Sequence, residues 1–199
     1  MKLYSMPSSG NSYKVRLLLA LLGQHVQTID VEYGSDTLTQ AKAETRLPFG
    51  KAPVLELDDG TLLPESNAIL VWLGQGTRFV PKDALQQAQM LSWMFWEQNQ
   101  HEGVIAVRAA LLNYPHRKAQ ATPERLAELL TSGNGLLQIM DDHLRMRDWL
   151  VGDDASLADL CLYAYTHTAE TRGGFDLAPF PALRDWLDRV AALPGYVAL

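Results

Sequence analysis

The sequence predicts an α/β unit at the N-terminus followed by an all-α unit. Three observations predict it. Short β-runs alternate with helical periodicity as far as about residue 73, glycine and proline then break the pattern over 76–83, and helical spacing continues beyond without a further β-run. The units are therefore expected at residues 1–75 and 84–199, joined by a linker over 76–83.

Lys2, Leu3, Tyr4 and Ser5 read as a first strand, and residues 6–11 as a loop of turn formers. From Ser12, Val15, Leu18, Leu19 and Leu22 recur at helical spacing until Gly23 stops the run. Residues 26–31 form a second strand, which the intervening helix makes parallel to the first. A weaker helical patch covers 39–44. Val54, Leu55 and Leu57, the turn Asp58-Asp59-Gly60, and Leu62-Leu63 then make a hairpin. A helix follows over 68–73, with Ser66 or Asn67 placed to cap it. This order resembles a thioredoxin-like domain, of a size ordinary for a small domain.

In the second unit one helix is expected from 84 to about 112. Thr122-Pro123 is a cap followed by proline at the first helical position, opening a helix that runs to 147 through Gly133 and Gly135. Ser156-Leu157-Ala158-Asp159 is a capping pattern leading into a helix over 160–169, and Pro181 opens a last helix over 182–193. These pack as a C-terminal helical bundle domain.

Composition narrows the function classes. Seventeen Lys and Arg against 23 Asp and Glu leave a net charge of -6, which argues against nucleic-acid binding. No apolar run suits a secretion signal or a membrane span, so a cytoplasmic protein with no membrane partner is expected. The one cysteine, Cys161, lies in an apolar helical run and reads as a buried residue. The histidines at 25, 101, 116, 143 and 167 lack metal-ligand spacing, so no metal is expected.

Residues 50–69 carry the chemistry most clearly. Pro53 opens a strand, where it need not donate to the ladder, and a cis Ala52–Pro53 bond would turn the Ala52 N–H and C=O toward an extended peptide. The helix after Ser66 offers unpaired N–H groups and a positive dipole end to a carboxylate, while Glu65 suits an ammonium. Together they describe a receptor for a free α-amino-acid head group.

Four motifs in this order resemble a cytosolic glutathione transferase of bacterial type: the loop and helix start from Ser8 to Arg16, the strand entry from Gly50 to Leu55, the Glu65-Ser66 pair and the Ser156 to Asp159 cap. The resemblance covers nearly the whole chain. It implies that Ala52, ahead of Pro53, pairs its backbone with the cysteinyl part of glutathione, and that Glu65 and Ser66 hold the γ-glutamyl group. It further implies that Lys51 reaches the glycyl end. Glutathione is then a co-substrate, no further cofactor is needed, and a homodimer is implied.

The same resemblance puts a hydroxyl or thiol after the first strand, where Tyr4, Ser8, Ser9 and Ser12 compete. Ser9 is favoured as principal donor to the sulfur, with Asn11 second, Ser8 within the glutathione site and Ser12 as a helix cap. The absence of a loop cysteine disfavours mixed-disulfide subclasses. An electrophile site between the domains is expected to draw on Met6, Trp96, Arg108, Tyr114, Tyr163 and His167. The reaction implied is conjugation of the glutathione thiolate to small hydrophobic electrophiles. Disulfide or peroxide reduction, isomerisation, and a non-catalytic interaction role are the alternatives.

Overall fold

A computed structural model describes all 199 residues and divides into two compact units, Met1–Thr77 with Leu193–Leu199, and Arg78–Ala192. The division falls inside the expected linker. Phe79 from that segment is buried within the second unit, where its carbonyl accepts the Leu157 N–H at 2.9 Å. At the other end, Leu193–Leu199 returns to the first unit.

The first unit runs β1 (Lys2–Ser5), α1 (Gly10–Leu21), β2 (Gln27–Asp30), α2 (Asp36–Ala43), β3 (Val54–Glu56), β4 (Leu62–Pro64) and α3 (Ser66–Gly74). Its sheet has the order β2-β1-β3-β4. Leu3 of β1 lies opposite Thr28 of parallel β2 and opposite Leu55 of antiparallel β3, and Leu55 faces Leu63 across the hairpin. This is the thioredoxin-like arrangement that the element order predicts. Leu3, Tyr4 and Ser5 are all buried, which requires cover on both faces of the sheet. Tyr4 and Val54 pack with Val31, Leu38, Ala41 and Leu47 around α2. Leu3 and Leu55, one residue out of step, face the other way, and α1 and α3 pack together within the unit.

Three local expectations change. Helix α1 begins at Gly10 with Ser9 at its cap, because the Ser9 hydroxyl accepts the Ser12 N–H at 3.4 Å. Ser12 is therefore not the cap; its buried hydroxyl accepts the Met6 N–H at 2.9 Å. Helix α2 starts three residues before the expected patch, since Ser35 accepts the Leu38 N–H at 3.1 Å and Asp36 suits the first turn. At α3 the cap position belongs to Glu65, with φ 71°, and Ser66 is the first helical residue.

The second unit contains α4 (Ala84–Trp96), α5 (Val107–Asn113), α6 (Pro123–Leu144), α7 (Leu157–Thr166), α8 (Ala169–Gly173) and α9 (Pro181–Ala191). The long helix expected over 84–112 is present as α4 and α5, joined by a π-helical stretch, Glu97–Ala106, that carries Glu97, His101 and Ile105 on its buried side. Helix α6 opens at Thr122-Pro123 and passes through Gly133, where an added Cβ would lie 2.3 Å from the Phe175 ring. The close approach of the Phe175 ring explains that glycine. Asp159 closes the Ser156 capping box and is fully buried. Its two oxygens accept from the Leu150 and Ser156 N–H groups, the Ser156 hydroxyl and the Trp186 indole at 2.8–2.9 Å. No helix is long and apolar enough to cross a membrane.

Candidate functional site

The loop between β1 and α1 is held from two sides. Ser12 takes the Met6 N–H, while the Met6 carbonyl accepts the Ser9 N–H at 3.0 Å. From α1, the Arg16 guanidinium reaches back to the Ser5 hydroxyl at 2.7 Å and to the Met6 and Pro7 carbonyls at 3.4 and 3.0 Å. Burial lowers the pKa of Arg16, yet a guanidinium stays charged throughout the working range. Helical spacing explains the reach: Ser12 and Arg16, four apart, lie on one side of α1.

The two adjacent serines differ in what their hydroxyls do. Ser8 donates its backbone N–H and its hydroxyl to the two oxygens of Glu32, at 3.0 and 2.9 Å. Ser9 accepts at its oxygen from the Ser12 N–H. Accepting does not use the Ser9 proton. No acidic residue occupies the first turn of α1, so its positive end is not neutralised by its own side chains. Tyr4, the remaining competitor, donates to Glu56 at 2.9 Å inside the sheet and has its pKa raised by burial and then by that hydrogen bond.

The 50–69 stretch meets this loop directly. The Ala52–Pro53 bond is cis, Pro53 is buried ahead of β3, and Lys51 is exposed. Glu65 is exposed in a sparsely populated positive-φ conformation of the kind retained at functional sites, and Ser66 behind it is buried. The Ser66 hydroxyl donates to Asn11 Oδ1 at 3.1 Å, bringing two predicted site residues together from motifs 55 residues apart.

The candidates of the second unit occupy separate settings. Trp96 packs edge-on to Trp93 at 5.3 Å and beside His101 at 5.8 Å. Arg108 is buried as a strut: it donates to the Gly173 carbonyl at 2.7 Å and to the Leu126 carbonyl, with its guanidinium over Phe175. Tyr114 stacks on His116 and accepts from Arg172 at 3.4 Å. Tyr163 and His167 are brought together, stacked at 4.7 Å with planes 6° apart, and burial lowers the His167 pKa. Cys161 is buried and donates to Glu97 at 3.3 Å.

Arg16 and Glu32 are site-building residues that motif reading does not single out. Arg16 stands at the end of the quoted motif, which gives it no role of its own. Glu32 follows β2 and meets Ser8 only through the parallel pairing of β1 and β2.

Residues 3–77 match the glutathione S-transferase N-terminal domain and residues 104–194 the C-terminal domain. A solved glutathione S-transferase from Xanthobacter autotrophicus Py2 is 41% identical, with 100% of this chain and 95% of that one covered at a TM-score of 0.90. The chain belongs to the glutathione S-transferase family. Within it, a maleylacetoacetate isomerase of Pseudomonas aeruginosa is 30% identical over 98% of this chain and 91% of that protein. A disulfide-bond oxidoreductase of Escherichia coli K12 is 26% identical over 97% and 91%. In this glutathione S-transferase family member the β1–α1 loop, the cis-proline strand entry and the Glu65-Ser66 turn all belong to one unit.

Proposed function

We propose that the protein is a glutathione transferase that conjugates the glutathione thiolate to small hydrophobic electrophiles. The observation that carries this reading is the Ser66–Asn11 hydrogen bond, which joins the amino-acid receptor to the loop bearing Ser9. Ala52 pairs with the cysteinyl backbone, Glu65 and Ser66 hold the γ-glutamyl ammonium and carboxylate, and Lys51 meets the glycyl carboxylate. Ser8 lines the glutathione site while its proton is engaged by Glu32. That leaves Ser9 to donate to the sulfur, with the Asn11 amide as second donor.

The thiolate is the nucleophile, and a free cysteine thiol has a pKa near 8.5. Lowering it by two units requires about 2.7 kcal/mol, and a hydrogen bond to a charged group supplies roughly 1.5–3 kcal/mol. Ser9 and the positive end of α1 together are sufficient. With a chloronitrobenzene the sulfur forms a bond to the ring carbon, chloride departs with its bonding pair, and the thiol proton leaves to solvent. Met6, Trp96, Tyr114, Tyr163 and His167 remain the proposed electrophile contacts, while Arg108, engaged by the Gly173 and Leu126 carbonyls, supports them only by holding its helices in place. Family membership favours a homodimer, and the composition a cytoplasmic location.

The name of the Escherichia coli relative favours one second reading, glutathione-dependent disulfide reduction. With no loop cysteine, that chemistry would use the thiol of glutathione itself. Titration calorimetry at millimolar glutathione tests both readings, and the absence of binding heat would sink both. Rates of chloronitrobenzene conjugation against rates of disulfide reduction then separate them.

A further inference from the structure

Arg108 holds its helices with only part of its donor capacity, since a guanidinium carries five N–H donors. Nε gives one to the Gly173 carbonyl at 2.7 Å and Nη1 gives one to the Leu126 carbonyl, with the group lying over the Phe175 ring at 5.6 Å. Nη2 donates to no group of the protein, although the residue is only 9% exposed. A buried cation is ordinarily paired with a carboxylate. Here burial alone acts on the Arg108 pKa, lowering it, and no charged neighbour offsets the cost. The guanidinium stays charged all the same. Nη2 is not sealed in, however. Beside it Gly174 has φ +65°, and a Cβ added there would stand 3.8 Å from Nη2 and 4.0 Å from Leu112 Cδ1. The glycine therefore leaves open a spot that touches both the unused donors and an exposed leucine.

We propose that Arg108, Gly174 and Leu112 form a binding site in the second unit for a monocarboxylate with an apolar body. The ligand carboxylate accepts from Nη2 and supplies the counter-charge that the fold omits, while its apolar part lies against Leu112. One guanidinium with no second cation acting beside it suits a single negative charge better than a phosphate dianion. The inference does not rest on the glutathione reading, because every residue it uses belongs to the unit Arg78–Ala192 and none is assigned to glutathione.

The test is thermal melting of the full chain with benzoate, set against benzamide, its neutral counterpart of the same shape. Benzoate at about ten times its Kd is expected to raise Tm by roughly 3–6 °C, and benzamide to leave it unchanged. Replacing Arg108 would unpack its helices, so the decisive variants are at exposed Leu112, one turn further along α5. Leu112→Glu brings a carboxylate of the chain's own within reach of Arg108. It is expected to melt above Leu112→Gln without ligand and to lose the benzoate response, whereas the uncharged Leu112→Gln keeps a response. An unmoved wild-type Tm at tens of millimolar benzoate overturns the proposal. So do equal shifts from benzamide or from inorganic phosphate, and a full benzoate response in Leu112→Glu.

Discussion

Ser8 donates to Glu32 at 2.9 Å, whereas Ser9 accepts the Ser12 N–H and has its own proton to give. Substitution should separate them. Ser9→Ala is expected to lower kcat/KM for chloronitrobenzene conjugation by about 100-fold, the scale of a lost transition-state donor, while Ser8→Ala changes it less than tenfold. Equal losses in steady-state assays would return the donor role to an open choice. Arg16→Lys is expected to cost about 1–2 kcal/mol in urea unfolding, because an ammonium cannot reproduce the planar fork that meets Ser5, Met6 and Pro7. Glu56 supplies the pH dependence. Hydrogen bonds from Lys2 and then Tyr4 lower its folded pKa below the unfolded value. Its contribution is therefore present above the ordinary carboxylate range and lost as pH falls through its folded pKa. Melting temperatures from pH 7 to pH 3 should fall less steeply in Glu56→Gln than in wild type. Parallel curves would remove Glu56 from the account.

At the scale of elements, caps and turns are readable wherever one residue type fits one role. Thr122-Pro123, Ser156 with Asp159, and the Asp58-Asp59-Gly60 turn each meet a single local requirement, and each stands where its pattern puts it. The start of α1 is ambiguous because Ser9 and Ser12 both suit a cap, and only the folded outcome decides between them: Ser9 accepts the Ser12 N–H while the Ser12 hydroxyl takes the Met6 N–H. The π-helical stretch is invisible for a different reason: its residues keep helical spacing, and the wider turn is a property of the backbone. Two substitutions test the element joints. Asp159→Ala leaves the Leu150 N–H and the Trp186 indole buried without their acceptor, and is expected to destabilise by about 3–5 kcal/mol in urea unfolding. Gly195 has φ +90°, and an added Cβ would lie 2.9 Å from the Ala20 carbonyl of α1. Gly195→Ala should therefore cost about 1–3 kcal/mol, or roughly 2–12 °C in melting temperature. An unchanged Tm would show that the tail does not need this approach.

For the whole molecule, the sequence carries the two-unit organisation in its change of periodicity and the proposed glutathione receptor in residues 50–69. Neither needs long-range information. The return of Leu193–Leu199 to the first unit does need it: Tyr13 donates to the Val197 carbonyl at 2.7 Å across 184 residues, and no local pattern announces such a bond. The electrophile candidates illustrate the same limit, since no local pattern announces the unrelated packing that Trp96, Arg108, Tyr114 and Tyr163 enter. What unites the site is one claim, that Ser9 at the positive end of α1 makes the bound thiol acidic. Ultraviolet titration of the wild-type complex saturated with glutathione measures that acidity directly. The account predicts a midpoint roughly two units below the free-thiol value of about 8.5, and a midpoint at or above the free value would contradict it.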